Sequence, residues 1–210
     1  MTVSTSFELD QGAMDGGPFD SHSISIDMNE MGTITFAGHG GSTAVGKYDD
    51  MMPNAYEEVW DVLDNNGAAA DDGGGNDMFS YSNTFADSIS VYASYYNQEA
   101  GVVESYSDFG VTYTGVEGLS VSYGVGDNNA AAGTAFNADV TSMKASYAFG
   151  PVTIGYSDHE FDSATATRDQ DVTSYSIAYT VSDEISITYG TEDFSTGEAS
   201  TVDAEYSKLS

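Results

Sequence analysis

The stretch Ser174-Tyr-Ser-Ile-Ala-Tyr-Thr-Val-Ser-Asp-Glu-Ile-Ser-Ile-Thr-Tyr-Gly190 decides the fold class of this chain. Tyrosine, isoleucine and valine stand at every second position on both sides of residues 182–184, with serine, threonine or alanine between them. A period of two is typical of a β-strand with one apolar face, and a short polar break between two such runs is typical of a turn. The stretch therefore predicts a β-hairpin.

The same alternation recurs along the chain and predicts an all-β protein with a single domain over residues 1–210. The helical period is nearly absent, and 23 Gly, 15 Tyr and 10 Phe beside only 3 Pro form a composition typical of strands and turns. About twelve segments alternate in this way: 2–9, 22–28, 33–38, 78–85, 88–96, 107–114, 119–125, 139–149, 152–158, 171–181, 185–192 and 201–209.

The connections between these segments alternate in length. Tight ones fall at 29–32, 86–87, 115–118, 150–151 and 182–184, and long ones at 10–21, 39–77, 97–106, 126–138, 159–170 and 193–200. An antiparallel up-and-down barrel inserted from one side of a membrane has short turns at one rim and long loops at the other. The alternation therefore favours such a barrel.

The polar row of each strand bears on the choice between a barrel and a soluble sandwich. A sandwich surface usually carries Lys, Arg and Glu, whereas this row is mainly Ser, Thr and Gly, which suits a water-filled lumen. A soluble sandwich remains the alternative. For a barrel we expect one set of side chains to point outward, Tyr123, Tyr156, Tyr179 and Tyr189, and another to point inward, Ser122, Gly155, Ala178 and Thr188.

Charge and cysteine content exclude several classes of protein. The chain carries 34 Asp and Glu against 4 Lys and Arg, a formal charge of -30, which argues against binding to nucleic acid or to an anionic lipid surface. Without cysteine there is no disulfide framework and no thiolate site. His22, His39 and His159 have no serine or carboxylate at a characteristic spacing, so an enzyme is not indicated.

The sequence also lacks two kinds of hydrophobic segment. It has no run of about 18 apolar residues, as a transmembrane helix would need. Residues 1–10 already alternate like a strand and show no secretion signal. We expect that a signal was removed or that the chain is a fragment.

Residues 53–63 interrupt the β pattern and predict a short helix within the long connection 39–77. Pro53 suits the first helical turn, and apolar residues recur at spacings of three and four. The helix could pack on the outside of the sheet. It could also fold into a channel, pressing Val59 or Trp60 against the wall and turning Glu57, Glu58, Asp61 and Asp64 toward the water.

Further charged residues lie in the loop 71–77 and at Lys144. Asp71, Asp72 and Asp77 offer oxygen ligands in a flexible turn, but their spacing does not match the twelve-residue calcium loop, so a solvated acidic turn is favoured over a Ca²⁺ site. No cofactor is expected. Lys144 alternates with Met143, Tyr147 and Phe149 and therefore belongs to the polar row with Ser142 and Ser146, inside a barrel or on the surface of a sandwich.

Several segments, taken in order, resemble a known family. Ser23-Ile-Ser-Ile-Asp-Met-Asn-Glu-Met-Gly-Thr-Ile-Thr-Phe-Ala37, Ala55-Tyr-Glu-Glu-Val-Trp60 and Asp77-Met-Phe-Ser-Tyr-Ser-Asn-Thr-Phe85 resemble the fourth and fifth strands, the constriction loop and the sixth strand of Gram-negative general porins, especially alphaproteobacterial ones. Later hairpins, with Ser120-Val-Ser-Tyr-Gly124 and Ser186-Ile-Thr-Tyr-Gly190, are similar to the repetitive strands of that family. The likeness spans nearly the whole chain.

The resemblance implies a homotrimer in the outer membrane of a Gram-negative bacterium, surrounded by its lipid. It also implies a barrel of about sixteen strands with one loop, here 39–77, folded into the pore. About two strands would then be missing at each end. The chain departs from the family because it ends at Tyr206-Ser-Lys-Leu-Ser210 and not in an aromatic residue, and because only Lys144 could belong to the family's basic cluster.

The function expected from these features is passive diffusion of ions and small hydrophilic solutes. A constriction that carries Asp49, Asp50, Glu57, Glu58, Asp61 and Asp64 and is opposed only by Lys47 and Lys144 predicts a preference for cations. The alternative is an acidic extracellular surface or adhesin protein of β-sheets, stabilised by cations that neutralise its carboxylates.

Overall fold

The computed structural model describes residues 1–9, 19–39, 41–48, 77–97, 103–130, 138–165, 169–182, 185–197 and 204–209. These residues form twelve strands: β1 Thr2–Leu9, β2 Phe19–Asp27, β3 Thr33–His39, β4 Met78–Phe85, β5 Ile89–Asn97, β6 Val103–Tyr113, β7 Leu119–Ala130, β8 Ala138–Phe149, β9 Val152–Ser163, β10 Gln170–Ser182, β11 Ile185–Thr196 and β12 Ala204–Leu209.

Each strand pairs antiparallel with the strands that precede and follow it in sequence, so the sheet order is β1 to β12 without a crossover. The predicted antiparallel meander of about twelve strands is confirmed. Within the described residues, β1 and β12 are the two edges of the sheet and do not pair with each other, so the sheet is open.

Five strands extend by three residues or more beyond their predicted ends, each at a long connection. β2 begins at Phe19, β6 begins at Val103, β7 ends at Ala130, β9 ends at Ser163 and β11 ends at Thr196. The added residues are rich in Asp, Asn and Glu, so they lack the apolar alternation on which the prediction relied. Their backbone nevertheless continues the antiparallel ladder, for example from Ser107↔Asp127 to Ser105↔Asn129, with a register shift between Val103 and Ser105.

The short turns require backbone conformations that few residues adopt. Asn29, Ala86 and Asp87 have positive φ, as has Gly118 with φ 77°. A Cβ atom on Gly118 would lie 2.2 Å from the backbone oxygen of Ala148, so glycine alone fits there. These turns hold neighbouring strands in register at one end of the sheet.

The helical content of the described residues is limited to two single 3-10 turns, Asn29–Met31 and Val45–Lys47. No helix within these residues is long and apolar enough to cross a membrane. The helix predicted at 53–63 lies outside the described residues.

The two faces of the sheet differ in exposure. We call the face that packs against residues 41–48 the inner face and the opposite one the outer face. Most large apolar side chains of the outer face are exposed, among them Phe79, Tyr95, Phe109, Tyr123, Tyr147, Ile154, Tyr175, Ile177, Tyr179, Ile187 and Tyr189. The inner face carries the buried Ser122 and Thr188.

The predicted side-chain directions agree with this division. Tyr123, Tyr179 and Tyr189 are exposed on the outer face. Tyr156 belongs to the same face because it pairs with Tyr175, and it is only half-buried because the two rings pack with centroids 5.2 Å apart.

Candidate functional site

The first part of the long connection after β3 packs on the inner face of the sheet. Residues 41–48 contact β6, β7 and β8 through the 3-10 turn Val45–Lys47. Thr43, Ala44 and Val45 are completely buried, and Val45 joins a cluster with Ala138, Val140 and Phe161. This segment therefore narrows the space in front of the middle strands.

Two paired glycines make room for the ring of Tyr48. Gly110 on β6 lies opposite Gly124 on β7. A Cβ on Gly110 would lie 2.3 Å from Cε2 of Tyr48, and one on Gly124 would lie 2.9 Å from Cδ2 of the same ring. The missing side chains form a shallow seat that allows residues 41–48 to lie flat on the wall.

The side chain of Lys47 extends from this segment toward strand β5. Its Nζ lies 3.8 Å from the centroid of the Tyr92 ring, a cation–π contact. Burial lowers the pKa of Lys47, while the negative charge of Asp108 acts in the opposite direction. The Tyr92 hydroxyl in turn donates to the Ser42 carbonyl oxygen at 2.8 Å, so the segment is attached on this side as well.

A row of mostly hydroxyl-bearing residues, which also includes Lys144 and Glu192, crosses the inner face, and we call it the hydroxyl row. Its members pair in succession from β4 to β11: Thr84, Ser90, Thr112, Ser122, Lys144, Ser157, Ser174 and Glu192. Thr84 and Ser90 are hydrogen-bonded at 3.0 Å, Thr112 and Ser122 at 2.9 Å, and the Ser174 hydroxyl donates to Glu192 at 2.9 Å. Hydroxyl groups can both donate hydrogen bonds to a hydrated solute and accept them from it.

A cavity of about 410 Å³ lies between Lys47 and Tyr48 on one side and the short turn at residues 29–32 on the other. Its lining includes Tyr92, Asn83 and Thr112. Most of the lining groups are hydroxyls, amides or the lysine ammonium, so the cavity suits water and small polar solutes.

The structure brings together one pair that the sequence did not indicate. Ser142 Oγ lies 2.7 Å from Nδ1 of His159, on neighbouring strands β8 and β9. The two residues are 17 positions apart, a separation that matches no familiar motif. Both side chains are almost completely buried, so the pair connects two strands and does not face a substrate.

The residues proposed for the constriction fall into two groups. Lys144 lies on the inner face, opposite Ser122 and Ser157, and its role in the constriction stays a prediction. The acidic residues proposed with it, Asp49, Asp50, Glu57, Glu58, Asp61 and Asp64, lie outside the described residues, as do Asp71 and Asp72. Asp77 is exposed at the start of β4, and its N–H donates to the Gly38 carbonyl oxygen at 3.3 Å.

The outer face carries an acidic band that the sequence analysis missed. It follows the strand ends nearest the long connections and comprises Asp127, Asp139, Asp158, Glu160, Asp162, Asp171, Asp193 and Glu205. Carboxylates lie directly opposite each other in the pairs Asp127↔Asp139, Glu160↔Asp171 and Asp193↔Glu205. Asp127, Glu160, Asp162 and Asp193 lie in the strand extensions, where the apolar alternation stops.

Three members of the acidic band could share a cation on geometric grounds. One oxygen from each of Asp158, Glu160 and Asp171 lies within 4.8 Å of the others. Carboxylate oxygens are the ligands that hard cations such as Ca²⁺ prefer. Asp77, proposed for this role from the sequence, is not part of the group.

The model of the family described as "Gram-negative porin" matches residues 1–209. The chain belongs to this family. The porin is accordingly a protein of the Gram-negative outer membrane. No curated protein matches the porin in sequence.

Solved structures show the same fold. An anion-selective porin from Comamonas acidovorans has a TM-score of 0.68 and 18% identity, with 99% of this chain and 68% of that chain covered. OmpT of Vibrio cholerae has a TM-score of 0.59 and 20% identity, with 91% and 63% covered. A porin refined at 1.8 Å has a TM-score of 0.61 and 16% identity, with 90% and 69% covered. The chain thus spans about two thirds of the length of these structures.

Proposed function

We propose that this porin forms a water-filled channel through which ions and small hydrophilic solutes diffuse passively, without catalysis, and that the channel prefers cations. The observation that carries the proposal is the contrast between the two faces: exposed aromatic and aliphatic side chains on one, and a hydroxyl row with the segment 41–48 on the other. An acidic extracellular surface protein, the alternative considered above, would not expose so many large apolar side chains to water.

Charge supports the preference for cations. The inner face carries Glu8, Asp27, Asp108 and Glu192, and the basic residues that oppose them are Lys144 and, from the segment 41–48, Lys47. The adjoining residues 49–64 add Asp49, Asp50, Glu57, Glu58, Asp61 and Asp64 and no basic residue. In a narrow aqueous passage, a unit charge a few Å from an ion contributes on the order of 1 kcal/mol, which is a several-fold bias. Negative charge should therefore dominate.

The selectivity of the Comamonas protein is a property of that protein. At 18% identity the likeness shows a shared fold, while selectivity depends on individual charges at the narrowest point. A chain with 34 acidic and 4 basic residues need not share it.

The test is the reversal potential of the complete barrel in a planar bilayer under a KCl gradient. We expect a cation-selective wild type whose preference fades as salt rises, because the screening length is about 10 Å at 0.1 M and shorter above it. The variant Glu57→Gln/Glu58→Gln/Asp61→Asn should lose several-fold in the ratio of cation to anion permeability. If the channel is a homotrimer, as we also propose, each insertion should appear as three equal conductance levels.

The matched control is Asp127→Asn/Asp139→Asn/Asp162→Asn, which removes the same charge from the outer face. It should leave the permeability ratio nearly unchanged. An anion-selective wild type, or equal effects of the two triple variants, would contradict the proposed preference for cations. The absence of any conductance would contradict the channel itself.

A further inference from the structure

We propose that Asp108 is the positioning residue that holds the segment 41–48 against the inner face and so fixes the width of the channel there. The inference rests on the proposed channel function. It concerns one carboxylate on the inner face of β6 that accepts hydrogen bonds both from this segment and from the neighbouring strand.

The segment reaches Asp108 with backbone donors. The N–H of Val45 donates to Oδ2 at 2.9 Å, and the N–H of Ala44 donates to the same carboxylate. These groups open the 3-10 turn Val45–Lys47, where backbone N–H groups have no partner within the turn. Asp108 thus satisfies donors that burial would otherwise leave without an acceptor.

The wall holds the carboxylate in place from the other side. The N–H of Ser94 on β5 donates to Oδ1 at 2.9 Å, and the Ser94 hydroxyl donates to the same oxygen. The Tyr106 hydroxyl contributes a longer contact of 3.4 Å to Oδ2. Tyr106 is itself fixed, because its ring stacks on Tyr96 with centroids 5.4 Å apart and is completely buried.

An ionised carboxylate suits this position better than any neutral side chain. It only accepts hydrogen bonds and has enough lone pairs for all the donors that surround it. Asp108 is 7% exposed, so water cannot replace those donors easily. The nearby Lys47 adds a favourable charge interaction from the segment itself.

The absence of cysteine allows a direct test by thiol accessibility. Val45→Cys would place the only thiol of the chain at a completely buried position without adding volume. We would fold the full chain in detergent and measure the rate of reaction with a neutral maleimide. Addition of Asp108→Asn or Asp108→Ala should raise that rate about tenfold or more, because asparagine leaves only one acceptor oxygen for the buried N–H groups and alanine leaves none, so the segment detaches more often.

The same Asp108 variants, with Val45 retained, should give a larger and noisier single-channel conductance in planar bilayers. Asp193→Asn on the outer face, which removes an equal charge, should change neither the conductance nor, combined with Val45→Cys, the labelling rate. Far-UV circular dichroism shows whether each variant has folded. Asp108→Asn, which keeps the size of the side chain, serves if Asp108→Ala does not fold.

Unchanged labelling and conductance in folded Asp108 variants would overturn the assignment. So would failure of both variants to fold, since Asp108 would then be needed for the sheet and not for the placement of 41–48. Faster labelling in a protein that never conducts would leave the positioning role intact and contradict the proposed channel instead.

Discussion

Adjacent residues of β10 have opposite surroundings. Tyr175, Ile177 and Tyr179 expose 50%, 47% and 48% of their surface, whereas the neighbouring Ser174 and Ser176 expose only 3% and 8%. In a water-soluble protein the serines would be outside and the aromatic residues inside. The proposed channel requires this reversal, with the apolar outer face toward lipid and the polar inner face toward water. Three experiments test how far the two faces differ.

The largest effect is expected from a charge placed on the lipid side. Ile177→Arg should lower the free energy of unfolding by about 2–4 kcal/mol, the range for arginine near the middle of a bilayer. Ala178→Arg is the matched control, because it lies on the inner face of the same strand and should cost much less. Urea unfolding from lipid vesicles measures both. Equal losses would contradict the division into a lipid face and an aqueous face.

A smaller effect is expected at the seat of Tyr48 on the inner face. Gly110→Ala should cost about 1–3 kcal/mol by overpacking against the tyrosine ring. In a Tyr48→Ala background the same substitution should be neutral or slightly stabilising, because the space is then free. A double-mutant cycle of unfolding free energies isolates this coupling. If Gly110→Ala still lowered the free energy of unfolding in the Tyr48→Ala background, Gly110 would be needed for the strand itself and not for the packing of the segment 41–48.

The smallest effect is expected in the acidic band of the outer face. Like charges opposite each other in a sheet are destabilising, so Glu160→Gln should raise the unfolding free energy by about 0.2–1 kcal/mol at low salt. Solvent exposure of Glu160 places the gain toward the lower end. The gain should disappear at 1 M salt, where charges are screened within about 3 Å. Destabilisation at low salt would instead indicate that this carboxylate is held by favourable contacts.

The faces of the sheet could be predicted because side-chain direction in a strand depends only on odd or even position. The strand ends could not, because Asp127, Glu160 and Asp193 replace the apolar residues that mark the outer row elsewhere. A stretch in which acidic and small residues alternate has a composition typical of a loop, although its backbone can still form hydrogen bonds with a neighbouring strand. The strand extensions are therefore held by backbone hydrogen bonds to the neighbouring strands and not by the burial of apolar side chains.

The contact between Val45 and Asp108 could not be predicted from the sequence. The two residues are 63 positions apart, and the segment 41–48 has the composition of a loop. The proposed acidic residues at 49–64 were found from local composition, whereas an anchor is defined by donors that converge from three separate segments. One signal was present: glycine at both Gly110 and Gly124, on the polar rows of successive strands, marks a place where the wall lacks side chains.

The nearest-neighbour order of the sheet also has a consequence for the order of folding. Because each strand pairs only with the next one along the chain, a hairpin can form as soon as its own connection closes. The cost of closing a loop rises by about 0.6 kcal/mol for each doubling of its length. β3 and β4, separated by residues 40–77, have the longest connection and should pair last, whereas hairpins such as β8–β9 need only a two-residue turn. The segment 41–48 can settle on β6, β7 and β8 only once these strands have formed the wall, so the channel should narrow late in folding.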